Sequence, residues 1–230
     1  MQKIQILFQD QNIAVINKSA GLLSVPYPGC RAKTALGLLE ESMRKRGTYS
    51  AGHRPFAVHR LDRETSGVMM FALNERAQKT IMDGWQTIVT ERLYRAVAEN
   101  PRGKKPLPDS GTIDAPLAYN AYNQAYVPKG AARPGLKTIS ARTHYKIIAR
   151  SKQFTLFELS LDTGRKNQIR AHLASLDYPL AGDKNYRART DRFGRLALHA
   201  RTLEFVHPWT KEKVRFEVPE PAEWEKDCRV

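Results

Sequence analysis

The feature that most limits how this chain can fold is its longest apolar run, Val68 to Leu73, which is only six residues long. A run of this length is typical of one buried β-strand, whereas a membrane-spanning helix needs about 20 apolar residues. A polar loop, His59 to Gly67, leads directly into it. The N-terminus also has no long apolar segment of the kind found in secretory signals. We therefore expect a soluble protein without a membrane partner.

The rest of the chain alternates between strand-like and helix-like patterns. Thr34 and Asn74 stand where helix N-caps are expected, ahead of helices ending near Gly47 and Gly84. A third helix is predicted over residues 166–176. Strands are predicted at residues 4–8, 13–16, 68–73, 93–98, 143–148, 154–161, 203–206 and 214–218. These elements predict a strand-rich α+β domain with a few helices and long loops.

The charge balance indicates a polyanionic partner. Lys and Arg number 38 against 23 Asp and Glu, which gives a formal net charge of +15. Binding to RNA or DNA is the leading explanation, because each neutralised phosphate releases condensed counterions. A solubilising surface charge or a ribosomal-protein-like scaffold would explain the charge as well. The two cysteines, Cys30 and Cys228, are far apart and outside any metal-binding spacing, so a reducing, cytoplasmic location is expected.

Four segments carry residues suited to chemistry, and the fourth runs from Gly182 and Asp183 through Tyr186 to residues 195–200. Asp62 lies between Arg60 and Arg63 in a loop before a buried strand, where nearby cations would keep its carboxylate ionised. An ordinary salt-bridged aspartate would show the same pattern. Tyr94 alternates with apolar residues, which favours a core position, although a phenol in a nucleic-acid site can stack on a base.

The third segment, Thr163 to Leu173, has a glycine turn followed by a polar, cationic helix start. Arg165, Ile169 and His172 follow i, i+4, i+7 spacing, so one helical face could present a cation beside an apolar wall. A solvated basic face is the alternative.

Metal and nucleotide-cofactor sites are not indicated. His59, His172, His199 and His207 are the candidate metal ligands, but no HxH, HExxH or CxxC spacing accompanies them. The chain also has no GxxxxGK[ST] loop and no GxGxxG after a strand, so ATP- or NAD-driven chemistry has no support. We expect no metal and no nucleotide cofactor.

The stretch His-Arg-Leu-Asp-x-x-Thr-Ser-Gly at 59–67 resembles the catalytic motif of the RluA-like family of RNA pseudouridine synthases. The resemblance covers nearly the whole chain. Supporting blocks follow the family's order at residues 6–10, 15–23, 141–145, 163–173, 182–183 and 198–200. Two positions depart from the family pattern: Ser19 replaces a usual proline, and Asn167 replaces a common histidine.

The resemblance implies an isomerase that converts a uridine of ribosomal RNA (23S-type) or tRNA into pseudouridine, without metal or cofactor. Asp62 would initiate cleavage of the glycosidic bond of a flipped-out uridine, with Arg165 keeping it ionised and Tyr94 stacking on the detached uracil. The implied substrate- or RNA-binding residues are His59, Arg60, Thr65, Ile169 and Arg170.

The resemblance also implies one catalytic domain, residues 1–230, without an N-terminal S4-type domain. Its fold would be a large mixed, mainly antiparallel β-sheet flanked by helices and loops, with a central active-site cleft. A monomer is expected. Two alternatives remain at this stage: a non-catalytic RNA-binding or ribosome-assembly protein that keeps the fold, and a metal-dependent nuclease or phosphodiesterase.

Overall fold

The computed structural model describes residues 4–103, 105–130 and 135–229. Its helices are α1 (Ala35–Lys45), α2 (Glu75–Asp83), α3 (Trp85–Ile88), α4 (Gln168–Ser175) and α5 (Ala222–Cys228), with a 3-10 helix, η1, at Lys184–Tyr186. The first six strands are β1 (Gln5–Gln9), β2 (Ile13–Lys18), β3 (Phe56–Ala57), β4 (Ser66–Ala72), β5 (Val89–Glu99) and β6 (Ser110–Asp114). The others are β7 (Ala118–Tyr119), β8 (Ala125–Tyr126), β9 (Arg142–Arg150), β10 (Phe154–Leu161), β11 (Leu198–Val206) and β12 (Lys213–Glu217).

The chain divides into two compact units. Unit 1 comprises Met1–Arg92 and His199–Pro219, and unit 2 comprises Leu93–Leu198 and Glu220–Val230. No helix in the described ranges has the length and apolar character needed to cross a membrane.

In unit 1 the strands run in the order β1-β2-β4-β11-β12, and β3 also pairs with β4. Every one of these pairings is antiparallel except that of β4 with β11. β4 is buried along its whole length, as its unbroken apolar pattern predicts. Its side chains Val68 and Met70 pack in one core with Ile13, Ile81 and Phe205.

Unit 2 holds the antiparallel strand order β5-β10-β9-β6 and a separate hairpin, β7–β8. One of its core clusters joins Val97, Phe154 and Leu156 to Trp224 and Cys228. The predicted α+β class with a mixed, mainly antiparallel sheet is therefore confirmed.

Most predicted elements are present, and the short elements β3, β6, β7, β8, α3 and η1 are additional to the prediction. β5 begins at Val89 and β11 at Leu198, so both strands start several residues earlier than the apolar pattern suggested. Helix α4 begins at Gln168, two residues later than predicted, because the preceding residue has a left-handed backbone. Helix α5 was not predicted, although the i, i+4 pair Trp224 and Cys228 anchors it in the core.

Candidate active site

The Asp62 loop connects β3 to β4 and ends in a tight turn. The amide of Thr65 donates to the carbonyl oxygen of Asp62 at 3.1 Å, which closes the turn. Asp62 is half-buried, between the buried side chain of Leu61 and the exposed Arg63. The carboxylate is thus carried by a short hydrogen-bonded turn at the start of a fully buried strand.

A buried lysine secures this loop. Lys18, at the end of β2, has no solvent-exposed surface. Its Nζ donates to three backbone carbonyls, those of Leu22 at 2.6 Å, Arg63 at 2.9 Å and Ser19 at 3.0 Å. A buried ammonium is tolerated only when its donors are satisfied, and here the three acceptors do so. Lys18 therefore joins the 19–22 turn to the residue that follows Asp62.

A buried serine holds the loop on the other side of Asp62. The Ser24 hydroxyl donates to the Leu61 carbonyl at 2.7 Å and accepts from the Leu61 amide at 3.1 Å. Both backbone groups of Leu61 are therefore bound by one side chain. Together with Lys18, Ser24 fixes the backbone on both flanks of Asp62.

His59 binds the strand rather than presenting a positive charge. Its Nε2 accepts the Met70 amide at 2.9 Å, and its ring lies 4.9 Å from that of Trp85. Burial, and then the positive charge of Arg92, lower the pKa of His59 to about 3. His59 is therefore a neutral hydrogen-bond acceptor that positions the loop; the residue is partly exposed, and its contact with RNA stays a prediction.

Thr65 and Arg60 lie on the same loop in different environments. Thr65 is buried, so the structure gives it a place in the turn rather than on an RNA-contacting surface. Arg60 is exposed, as a residue that binds RNA must be.

The join between β4 and β11 fixes the end of the loop. The His199 Nε2–H donates to the Val218 carbonyl at 2.8 Å, so its Nδ1 accepts the Ser66 hydroxyl, also at 2.8 Å. Gly67 faces Ala200 across this parallel pairing with a φ of +115°. A Cβ at Gly67 would lie 2.1 Å from the Ala200 carbonyl oxygen, so only glycine fits. The Thr-Ser-Gly part of the motif therefore builds the strand junction behind Asp62.

In unit 2, a buried glutamine shapes the segment that carries Arg165. The Gln168 Oε1 accepts from the Thr163 hydroxyl at 2.7 Å and from the Arg165 amide at 3.0 Å. Its Nε2 donates to the Arg142 carbonyl at 2.9 Å and to the Thr143 hydroxyl at 3.0 Å. The exposed Arg165 side chain also donates from Nε to the Ser140 carbonyl at 3.1 Å. Both the backbone and the side chain of Arg165 are therefore held.

His172 continues this network inside unit 2. Its Nε2–H donates to the Ala115 carbonyl at 2.9 Å, and its Nδ1 accepts the Thr143 hydroxyl at 2.8 Å. The side chain is completely buried, and burial lowers the pKa of His172. The expectation that Arg165, Ile169 and His172 share one presenting face is wrong, because Arg165 precedes the helix and His172 lies in the core.

The departure at Asn167 has a conformational explanation. This residue immediately precedes α4 with a φ of 55° and a ψ of 18°, which is the left-handed region. Asn and His are both enriched there among non-glycine residues. Asn167 therefore satisfies the backbone requirement of the position that is a histidine in many relatives.

Arg170 is also placed differently from the prediction. Its guanidinium binds both carboxylate oxygens of the buried Asp183, at 2.7 and 2.8 Å, and lies 4.9 Å from the centre of the Tyr186 ring. Its side chain is only 11% exposed. Arg170 therefore forms an internal ion pair that connects α4 with η1, which corrects the predicted RNA contact. Arg165 and Lys166, at the start of the same segment, are exposed, as a solvated basic face requires.

The remaining predicted residues lie in unit 2. Tyr94 is on β5 opposite Leu159 and is 9% exposed, and Ile169 is on α4 and is 4% exposed. Both side chains are therefore largely buried, as expected if Tyr94 occupies a core position. Among the described residues no group of three or more His, Cys, Asp or Glu side chains could hold a metal ion.

Sequence reasoning did not identify Lys18, Ser24, Gln168 or His199 as parts of the site. Each acts through hydrogen bonds to residues distant in sequence, from 25 to 133 positions away. Short-range spacing contains no signal for such bonds. The one clue was that Lys18, Gln168 and His199 lie inside the blocks that resemble the family.

Comparison with known proteins identifies the family. The family model described as RNA pseudouridylate synthase matches residues 12–175. An uncharacterized RNA pseudouridine synthase of Bacillus subtilis is 35% identical over 96% of this chain and 70% of its own length. A ribosomal large subunit pseudouridine synthase D of Xanthomonas campestris is 33% identical over 97% of this chain and 68% of its own length.

A solved structure shares the fold. The human RNA pseudouridylate synthase domain containing 4 superposes with a TM-score of 0.75, covering 96% of this chain and 90% of its own, at 24% identity. The family-model match extends over most of the chain, from β2 to the last residue of α4, and therefore includes both the Asp62 loop and the Arg165 segment. The chain belongs to the RluA-like family of RNA pseudouridine synthases and is an isomerase of that kind.

Proposed function

We propose that this pseudouridine synthase modifies uridines of ribosomal RNA of the 23S type, with tRNA as the second candidate. Two relatives with 33% and 34% identity, from Xanthomonas campestris and Neisseria meningitidis, are named ribosomal large subunit pseudouridine synthase D. The net charge of +15 suits a large structured RNA, because phosphate contacts provide most of the affinity and little of the sequence discrimination.

Asp62 initiates the reaction in this proposal. The observation that carries it is the anchoring of the Asp62 turn by the buried Lys18 and Ser24, which bind the backbone on both sides of the carboxylate. A catalytic group needs this support, because misplacement by about 1 Å can cost about 10²-fold in rate. An ionised carboxylate either attacks C1′ or stabilises the positive charge that develops there as the uracil departs.

The other roles follow from the same chemistry. We assign Arg165 the role of charge partner for the reacting carboxylate, and Gln168 and Ser140 hold its backbone and side chain. Tyr94 stacks on the detached uracil, and Ile169 provides an apolar surface for the ring. Arg60 occupies the space that the uridine leaves when it flips out of the RNA stack.

The isomerisation itself requires no redox carrier or energy donor. The N1–C1′ bond breaks, the uracil rotates, a C5–C1′ bond forms, and the C5 proton moves to solvent while N1 gains a proton. Atoms and electrons balance without a co-reactant. The proposal is therefore a reaction driven by the protein's side chains alone.

RNA labelled with tritium at C5 of uridine tests the reaction. The isomerase releases tritium and leaves the RNA chain intact, with or without a chelator. A non-catalytic RNA-binding protein, the less favoured alternative, binds the RNA and releases nothing. Strand cleavage that a chelator stops would instead establish a metal-dependent nuclease. The last two outcomes contradict the proposal.

The choice of RNA needs a separate experiment. Pseudouridines are mapped in total RNA from cells with and without the gene, and the deletion strain is complemented with wild-type protein or with Asp62→Asn. We expect the loss of one or a few sites in the large ribosomal RNA, restored only by the wild type. Loss of sites in tRNA alone would reject the ribosomal assignment while keeping the activity.

A further inference from the structure

The hairpin β7–β8 in unit 2 carries an unusual set of exposed aromatic side chains. Tyr122 at its tip is 90% exposed, the highest value among the large apolar side chains of the described residues. Tyr119 and Tyr126, on the two short strands, are 36% and 37% exposed. An aromatic ring left almost wholly in water contributes little to folding and is available for contact with another molecule.

The tip that presents Tyr122 is an ordered turn. The Asn120 side-chain oxygen accepts the amides of Tyr122 and Gln124, each at 3.0 Å. The backbone closes with a 2.8 Å bond from the Asn123 amide to the Asn120 carbonyl, and Asn123 takes a left-handed φ of 55°. Asparagine suits both positions, since its side chain mimics a turn and it tolerates that conformation. A hydrogen-bonded turn therefore holds the backbone of Tyr122 in one conformation.

The base of the hairpin is attached to the helix that follows Arg165. Ala125 is completely buried in a cluster with Ala171 of α4. The Tyr186 hydroxyl donates to the Ala125 carbonyl at 2.6 Å, and the Gln124 side-chain amide donates to the Asn185 carbonyl at 2.7 Å. The hairpin is thus joined to α4 and η1 by packing and by hydrogen bonds.

The sequence around the hairpin is rich in positive charge, although Arg142 is paired with Asp114, which precedes the segment. From Ala115 to Phe157 the chain has no Asp or Glu but has seven Lys and Arg residues. The 3-10 helix η1, which binds the hairpin, adds Lys184, whose exposed side chain lies 3.6 Å from the Asp191 carboxylate, and is followed by the exposed Arg187. Exposed aromatic rings among cations are the combination that proteins use to bind unpaired nucleotides, by stacking on bases and attracting phosphates.

We propose that the β7–β8 hairpin is an RNA-contacting element in which Tyr122 stacks on an unpaired base of the substrate RNA, at a position other than the isomerised uridine. The inference rests on the RNA-modifying function given above. A protein partner would be expected to meet a broader apolar patch than one protruding ring, and the absence of acidic residues in the segment favours a polyanion.

Anisotropy titrations with a fluorescein-labelled, single-stranded RNA 16-mer of mixed sequence test this inference. Tyr122→Ala is expected to raise Kd about tenfold, within the range found for removing one stacked aromatic side chain. Tyr122→Phe, which keeps the ring, should stay within about twofold of the wild type. The matched control is Tyr27→Ala, which removes a 62% exposed tyrosine from unit 1 and should leave Kd unchanged. Equal Kd values for Tyr122→Ala and wild type overturn the proposal.

A second measurement reports stacking directly. In Tyr122→Trp the added indole should be quenched when the 16-mer binds, beyond any change in the wild-type emission, and a fully paired duplex of the same sequence should not quench it. Equal quenching by the duplex, or none by the single strand, refutes stacking on an unpaired base.

The two proposals can fail separately. Binding is measured without turnover, so a protein that needs Tyr122 for RNA binding yet releases no tritium would refute the isomerase mechanism alone. Full tritium release with unchanged binding by Tyr122→Ala would refute the hairpin proposal alone.

Discussion

Replacing the buried Lys18 with methionine tests whether an internal ammonium holds the Asp62 loop. Lys18→Met keeps the length and apolar stem of the side chain but removes the donor for three carbonyls. Ser19 and Arg63 are exposed residues, so water can replace two of these bonds, whereas Leu22 is only 4% exposed. A buried acceptor without a partner costs about 1–3 kcal/mol.

The net loss of stability follows from these terms. Removing the buried ammonium also removes its desolvation cost, which offsets part of the lost hydrogen bonding. We expect the free energy of unfolding to fall by about 1–2 kcal/mol. Urea denaturation followed by circular dichroism measures it. The control, Lys79→Met, breaks an exposed ion pair with Asp83 on α2 and should change the free energy by less than about 1 kcal/mol.

Activity provides the second readout for Lys18. Since the Arg63 carbonyl belongs to the turn that carries Asp62, folded Lys18→Met should have a lower kcat for tritium release with an RNA affinity close to that of the wild type. A variant with wild-type stability and wild-type kcat would refute the reasoning, because the three bonds would then contribute neither to folding nor to positioning.

Three further predictions concern residues that hold the Asp62 loop and the Arg165 segment in place. Gly67→Ala should destabilise the protein by more than about 3 kcal/mol, since its Cβ would overlap the Ala200 carbonyl oxygen, and a thermal melt that matches the wild type would contradict this. Gln168→Leu should lower kcat by about 10²-fold in single-turnover assays by freeing the Arg165 backbone, and a change confined to KM would oppose a positioning role. The free energy of unfolding should decrease as pH falls from 6.5 towards 3, because His59 binds a proton in the unfolded chain but stays neutral in the folded protein. The urea midpoints at pH 7 and pH 5 should therefore differ less in His59→Gln than in the wild type. Equal differences in the two proteins would contradict this cause.

The local parts of the fold could be predicted from sequence. Thr34 and Asn74 cap α1 and α2 as expected, because capping depends on residues only three positions apart. The unbroken apolar run at β4 correctly indicated a strand buried on both faces. Short strands such as β3, with two residues, carry no periodicity and could not be predicted.

The supports of the site could not be predicted, because they depend on tertiary contacts. The arginine at position 170 lies in a cationic segment and was expected to bind RNA, yet it is paired with Asp183, 13 residues away. His59 and His172 were candidate metal ligands, but burial lowers the pKa of both imidazoles. In the fold they form hydrogen bonds that hold neighbouring segments together. The charge of a side chain is visible in sequence, whereas its partner and burial are not.

Tritium release by Asp62→Asn is the most direct test of the central claim. The substitution removes one negative charge and is expected to abolish release from C5-labelled RNA while the Kd for that RNA stays within about twofold, since no phosphate contact is lost. Asp83→Asn, which changes an exposed carboxylate on α2, should release tritium at the wild-type rate. Substantial release by Asp62→Asn would contradict the account, because no other residue is assigned to start the reaction.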